Sequence, residues 1–97
     1  MVDWDALSQV LAVNVSTLQE QAIRILIETE LARLDHEEIE LIQKYHMLSA
    51  VDLEQAMQSR IVPEHPGWED LIHWEAIEDR RKALKELLRN MSVMNSL

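Results

Sequence analysis

Apolar residues recur along this chain at helical spacing, and the longest such run sets the architecture. From Ser16 to Tyr45 there is neither Pro nor Gly. Ile27, Leu34, Leu41 and Leu48 return every seven residues, with Leu31 and Tyr45 beside them. That stripe suits packing against another helix. A second apolar face carries Leu18, Ala22, Ile25, Ala32, Ile39 and Ile42. Between them runs an acidic strip of Glu28, Glu30, Asp35, Glu37, Glu38 and Glu40, opposed by Arg33. The pattern predicts one helix over residues 16–46. About 30 residues at a rise of roughly 1.5 Å each make a rod of about 45 Å. A compact domain of this size has a radius of gyration of about 13 Å. The remaining residues are too few to wrap such a rod, so a second copy of the chain is expected along it. Leu18, Ile25, Ile27, Leu34 and Leu41 are the residues expected to build the dimer and the core.

Three shorter elements flank the rod. Residues 3–12 predict a short helix, with Asp3 as N-cap and Asp5 in the first turn, where the helix dipole favours an acid. Trp4, Leu7 and Leu11 share one of its faces. The alternative is a strand over Val10–Val15, which would suggest a ribbon-helix-helix DNA binder. Against it, this stretch holds no Lys or Arg to meet a phosphate. Ser16 with Gln19, or Thr17 with Glu20, offers a capping box for the long helix. Ser49 followed by Asp52 caps a third helix over 50–58, with Leu53, Ala56 and Met57 on one face. Arg60 to His65 reads as a linker marked by Pro63. Pro66 fits the first position of a last helix over 66–90. There Ile77, Leu84 and Met91 are heptad-spaced, with Trp74 and Leu88 alongside. Beyond Met91 the tail is expected to fray.

Composition supports an all-α class. One Gly and two Pro leave little turn chemistry for hairpins or sandwiches. Ninety-seven residues, 47% of them hydrophobic, fit a single all-helical domain of residues 1–97. The expected arrangement is a helical-bundle homodimer, with the last helix returning antiparallel to the central one. The core lacks Phe and is modest for a chain of this length. A net charge of -9 argues against general nucleic-acid binding. It suits a basic partner, and it equally suits simple solubility. There is no Cys for a disulfide or a thiolate metal site. No apolar run approaches the roughly 20 residues a membrane span needs, and the start of the chain has no signal-peptide pattern. A cytoplasmic setting is therefore expected.

Charges on the last helix are sorted. Six acids and no Lys or Arg lie between Glu64 and Asp79, and five bases against Glu86 lie between Arg80 and Arg89. Complementarity to the helix dipole accounts for both halves; a bipolar docking surface is the sharper alternative. Arg80, Arg81, Lys82, Lys85 and Arg89 form the chain's basic cluster, with Glu78, Asp79 and Glu86 in reach to neutralise it.

Catalytic chemistry finds little support. No Gly-x-Ser-x-Gly turn or glycine-rich phosphate loop is present. His36 with Glu40, and Glu69 with His73, stand at i, i+4 and could each aim an imidazole and a carboxylate at a metal ion. They differ in spacing from the Glu-x-x-His sites of ferritin-like bundles. Surface His beside abundant acids is the reading adopted for them, with Glu37, Glu38 and Glu40 as one solvated strip. Neither an enzyme nor a cofactor or metal is expected. Trp68 and Trp74 lie in the most acidic segment, and their i, i+6 spacing keeps them off a common face. Trp is a favoured interface anchor. Trp68, Glu69, Asp70, Trp74 and Glu75 are therefore the expected partner-contact residues.

The run Lys44-Tyr45-His46-Met47, the short acidic helix from Ser49 to Met57, Ile61-Val62-Pro63-Glu64-His65, Trp68-Glu69-Asp70 and Trp74-Glu75-Ala76 together resemble the carboxy-terminal part of small prokaryotic antitoxin-like proteins. The resemblance covers roughly residues 35–80. It implies an inhibitor that wraps a basic toxin, commonly a ribonuclease, with its carboxy-terminal half. Such proteins often repress their own operon through an amino-terminal DNA-binding domain. This chain departs there, because it lacks a basic strand, and His46 stands where the pattern has Gly. A structural or adaptor homodimer with no enzyme partner is the alternative, and a small helical metal-binding protein is a third.

Overall fold

The computed structural model describes residues 2–95, and side chains through residue 91. These residues form four helices, α1 (Trp4–Leu11), α2 (Val15–Tyr45), α3 (Ala50–Gln58) and α4 (Glu64–Asn95), and no strand. The chain divides into two compact units at Glu30 and Leu31, so α2 contributes to both.

In the amino-terminal unit, Asp3 caps α1 as its side chain accepts the Ala6 N–H at 3.0 Å. The helix closes at Ala12, which is left-handed (φ 55°), and Val13 N–H returns to the Ser8 carbonyl at 3.2 Å. The strand alternative over Val10–Val15 is thereby replaced by a helix end and a turn. Trp4 is half-buried, Leu7 and Leu11 are exposed, and α1 buries no residue. The start of α2 differs from the capping boxes at Ser16 and Thr17. Asn14 does the capping, accepting the Thr17 N–H on its side chain at 2.8 Å and the Leu18 N–H on its carbonyl at 3.0 Å. Asn ranks with Ser and Asp at this position, so the helix starts one residue earlier than expected.

The carboxy-terminal unit holds the core. α2 stops at His46, a residue in the left-handed conformation (φ 56°) whose N–H bonds the Ile42 carbonyl at 2.7 Å. Ser49 then caps α3 through the Asp52 N–H at 3.3 Å. α3 ends in a Schellman pair, Ile61 N–H to Ala56 O at 2.8 Å and Arg60 N–H to Met57 O at 3.0 Å, with Arg60 left-handed (φ 61°). Glycine usually occupies such ends because it has no Cβ to clash. Here Ala12, His46 and Arg60 do so, and the chain's one glycine serves elsewhere. Gly67 is buried where α4 passes α3, and a Cβ on it would stand 3.2 Å from Met57 Sδ and 3.4 Å from Val62 Cγ1.

His65 is out of helical conformation (φ -116°, ψ 125°), so the regular part of α4 begins at Pro66. The helix continues to Asn95, past the expected end at residue 90. Leu34 and Leu41 from α2, Ala50, Leu53 and Met57 from α3, and Leu71, Trp74 and Ile77 from α4 form one buried cluster. Leu48, the last position of the expected heptad stripe, lies beyond the end of α2 and is exposed.

Candidate interaction surface

Three polar clasps join α2 and α3 to α4 around this core. The Trp74 indole N–H donates to Glu38 Oε2 at 3.0 Å. Arg81 grips the same carboxylate with two N–H groups, at 2.9 Å to Oε1 and 3.3 Å to Oε2, and its Nε donates to Asp35 at 3.1 Å. Lower on the helix, Lys44 Nζ donates to Asp70 Oδ2 at 2.7 Å, and the Tyr45 hydroxyl donates to the same oxygen. Glu78 accepts the Ala50 N–H at 3.2 Å, holding the first turn of α3.

Electrostatics follow from this geometry. Partial burial works to raise the Glu38 pKa, but hydrogen bonds from Arg81 and Trp74, with the charge of Arg81, outweigh it and hold the carboxyl below its ordinary value. Asp70 behaves alike. Burial raises it, while the Lys44 and Tyr45 hydrogen bonds and the charges of Lys44 and His73 bring it below the usual range. The Arg81 pKa is raised, first by its bond to Glu38. Burial and then the Asp70 hydrogen bond push Tyr45 up to about 12. Such pairing makes these groups structural, since each carboxylate faces a fixed cation.

The expected contact residues are therefore separated. Trp74 is fully buried and unavailable to a partner, because its ring fills the core and its N–H is taken by Glu38. Asp70 is half-buried and held by Lys44 and Tyr45. Trp68 is 55% exposed, and Glu69 and Glu75 are exposed beside it. Of the expected dimer and core positions, Ile27, Leu34 and Leu41 are buried, Leu18 is half-buried and Ile25 is 61% exposed.

The acidic strip on α2 is not uniformly solvated. The Glu38 side chain is largely covered, and Glu37 meets Arg33 at 2.5 Å and His73 at 3.8 Å. Of the two candidate metal pairs, His36 and Glu40 do face each other at 3.7 Å, whereas Glu69 meets His65 and His73 meets Glu37 instead of one another. Among the described residues no group of three or more His, Cys, Asp or Glu is placed to hold a metal ion. Of the basic cluster, Arg81, Lys82, Lys85 and Arg89 line one shallow groove together with Glu78 and Glu86. Within it Arg81 also pairs with Asp35 and Glu38 of α2, and Arg89 pairs with Glu86 at 2.6 Å. No helix among the described residues is long and apolar enough to cross a membrane.

Sequence reasoning missed the Glu38–Arg81 clasp. Its available signal was the sorted charge of α4, which mirrors α2 where the acids Asp35 and Glu38 precede Lys44.

No curated protein and no solved structure matches the chain. A family model does match, over residues 1–96, and on that match the chain belongs to the uncharacterized protein MJ0235 family.

Proposed function

We propose that this chain is a protein–protein interaction module that pairs with a second copy through its amino-terminal unit and engages a basic protein through its carboxy-terminal unit. One observation carries the first part. Within residues 2–30 a single large hydrophobic side chain, Ile27, is buried, while Leu7, Val10, Leu11, Ile23, Ile25 and Leu26 are exposed. Leu18, Ala22, Ile25 and Leu26 share one arc of α2 by their spacing. Contiguous apolar area of this kind marks interaction sites, and burying it gains roughly 25 cal/mol per Å². An antiparallel return of α4 along α2 completes the bundle in this reading. It is supported by the order of the clasps, with Asp70 meeting residues 44 and 45, Trp74 meeting residue 38, and Arg81 meeting residues 38 and 35.

Sedimentation equilibrium tests the pairing. The chain is expected to run as a dimer at micromolar concentration, and the double variant Ile25→Glu with Leu26→Glu as a monomer that stays helical. A wild-type chain that remains monomeric at about 100 times that concentration removes the reading.

The narrower form of the second part is an antitoxin-like inhibitor of a basic toxin such as a ribonuclease. It rests on the resemblance across residues 35–80, and it is supported by the exposure of Trp68 among acids. Co-purification from native cells is expected to yield a small basic protein that high salt releases and that Trp68→Ala fails to hold. An adaptor dimer with no such companion would retain its behaviour in the Trp68→Ala variant, and that result would decide for it.

A further inference from the structure

Trp68 stands at the wall of a groove whose chemistry names an occupant. The groove lies between the last turn of α3 and the first turns of α4, has a volume of about 120 Å³, and is lined by Glu54, Met57, Gln58, Glu64, Trp68 and Leu71. Trp68 and Glu64 also border a wider space of about 320 Å³, together with His65. Its floor is apolar, from Met57 and Leu71, both buried against the core. Its wall is an indole face more than half exposed. Its rim is anionic, and neither Glu54 nor Glu64 has an ion-pair partner among the described residues. Arg60 lies in the adjoining groove with Glu64 and leaves that carboxylate unpaired.

We infer that this groove receives a lysine or arginine side chain from an extended segment of a basic partner protein. The inference rests on the basic-partner reading above and gives it an address. A long cationic side chain is the one type that satisfies all three surfaces at once. Its methylene stem covers Met57 and Leu71 while its charged head stays near water. The head lies over the Trp68 ring, where the quadrupole attracts a cation. Glu54 and Glu64 then supply charge-assisted hydrogen bonds from the rim. The volume equals that of about four waters, the scale of one side chain. An acidic or neutral segment would leave both carboxylates without a partner. A second copy of this chain, at net charge -9, would bring mostly like charge to the rim.

Trp74 has already supplied the aromatic payload of this segment to the core, so Trp68 is spare for binding. Glu69, exposed and next to Trp68 in the chain, meets His65 at 3.3 Å.

The test is an NMR titration of the isotope-labelled full chain with a nona-arginine peptide, and with nona-glutamate as control. The chain has three Trp, so its indole N–H signals report Trp4, Trp68 and Trp74 separately. The Trp68 indole and the amides of Glu54 and Glu64 are expected to shift most, with Trp74 unmoved. Trp68→Ala is expected to weaken binding about fivefold, and Glu54→Gln with Glu64→Gln by at least as much. The double Gln variant keeps the ring, so it separates charge from packing. Shifts centred on Asp35–Glu40 with Trp68 unmoved would overturn the groove and leave the basic-partner reading standing. Absence of salt-sensitive binding anywhere would remove both. A Trp68 signal that moves with the chain's own concentration would assign the groove to a second copy and overturn the inference.

Discussion

Replacing Trp74 with Ala is expected to cost about 3–5 kcal/mol and to leave the carboxy-terminal unit largely unfolded at moderate temperature. The side chain is fully buried at the centre of the three-helix cluster, so truncation removes the transfer free energy of an indole and leaves a cavity. It also strips Glu38 of one of its donors. Net stabilities of domains lie at about 5–15 kcal/mol, so a loss of this size is a large share of the total. Trp74→Phe separates the two contributions. It keeps most of the apolar surface and loses the hydrogen bond, at an expected cost of about 1–3 kcal/mol. Thermal melts followed by far-ultraviolet circular dichroism read both. A loss below about 1 kcal/mol for the Ala variant would mean that the indole does not hold this core together.

Arg81→Met should be the most damaging change to a charged residue, and its effect should depend on pH. Arg81 makes two bonds to the Glu38 carboxylate, and both side chains are less than a fifth exposed. Removing the guanidinium leaves a largely covered carboxylate facing a methyl group. Hydrogen bonds to charged groups contribute about 1.5–3 kcal/mol. Residual solvent screening places the expected loss near pH 7 at about 2 kcal/mol. The Asp35 contact adds little, because that carboxylate is 62% exposed. The sign of the pH dependence follows from Glu38 lying below its ordinary value of 4.5. A depressed carboxyl contributes stability that is present above its unfolded pKa and lost as pH falls through its folded pKa. Asp70, depressed from 3.8, acts in the same direction. The wild-type unit should therefore weaken on acidification below about pH 4. The gap between wild type and Arg81→Met should narrow over the same range, because a protonated Glu38 no longer needs the cation. Urea denaturation at pH 7 and pH 3 measures the gap. A gap that stays constant would show that Arg81 acts through packing of its stem instead.

Helical periodicity is local, and local features were legible. The all-helical class follows from one Gly, two Pro and seven-residue apolar spacing, and the Asp3 and Ser49 caps follow from residue type at a helix start. The buried positions Ile27, Leu34, Leu41, Leu53 and Ile77 lie on stripes visible in the chain. The candidate surface was less legible. The i, i+6 spacing of Trp68 and Trp74 shows that they cannot share a face, yet it does not say which of them faces inward.

What the sequence determined by itself is where the chain turns helical and which residues line each apolar stripe, because these depend on neighbours three to seven positions away. Tertiary structure alone decided which stripe is covered. It placed Trp74 in the core and Trp68 beside a groove, turned Arg81 inward to Glu38, and drew Asp70 onto Lys44 and Tyr45. The pairings of Trp74 and Arg81 with Glu38, and of Asp70 with Lys44 and Tyr45, join residues 25 or more positions apart. No periodicity records them, since burial and pairing at such separations depend on how the helices meet.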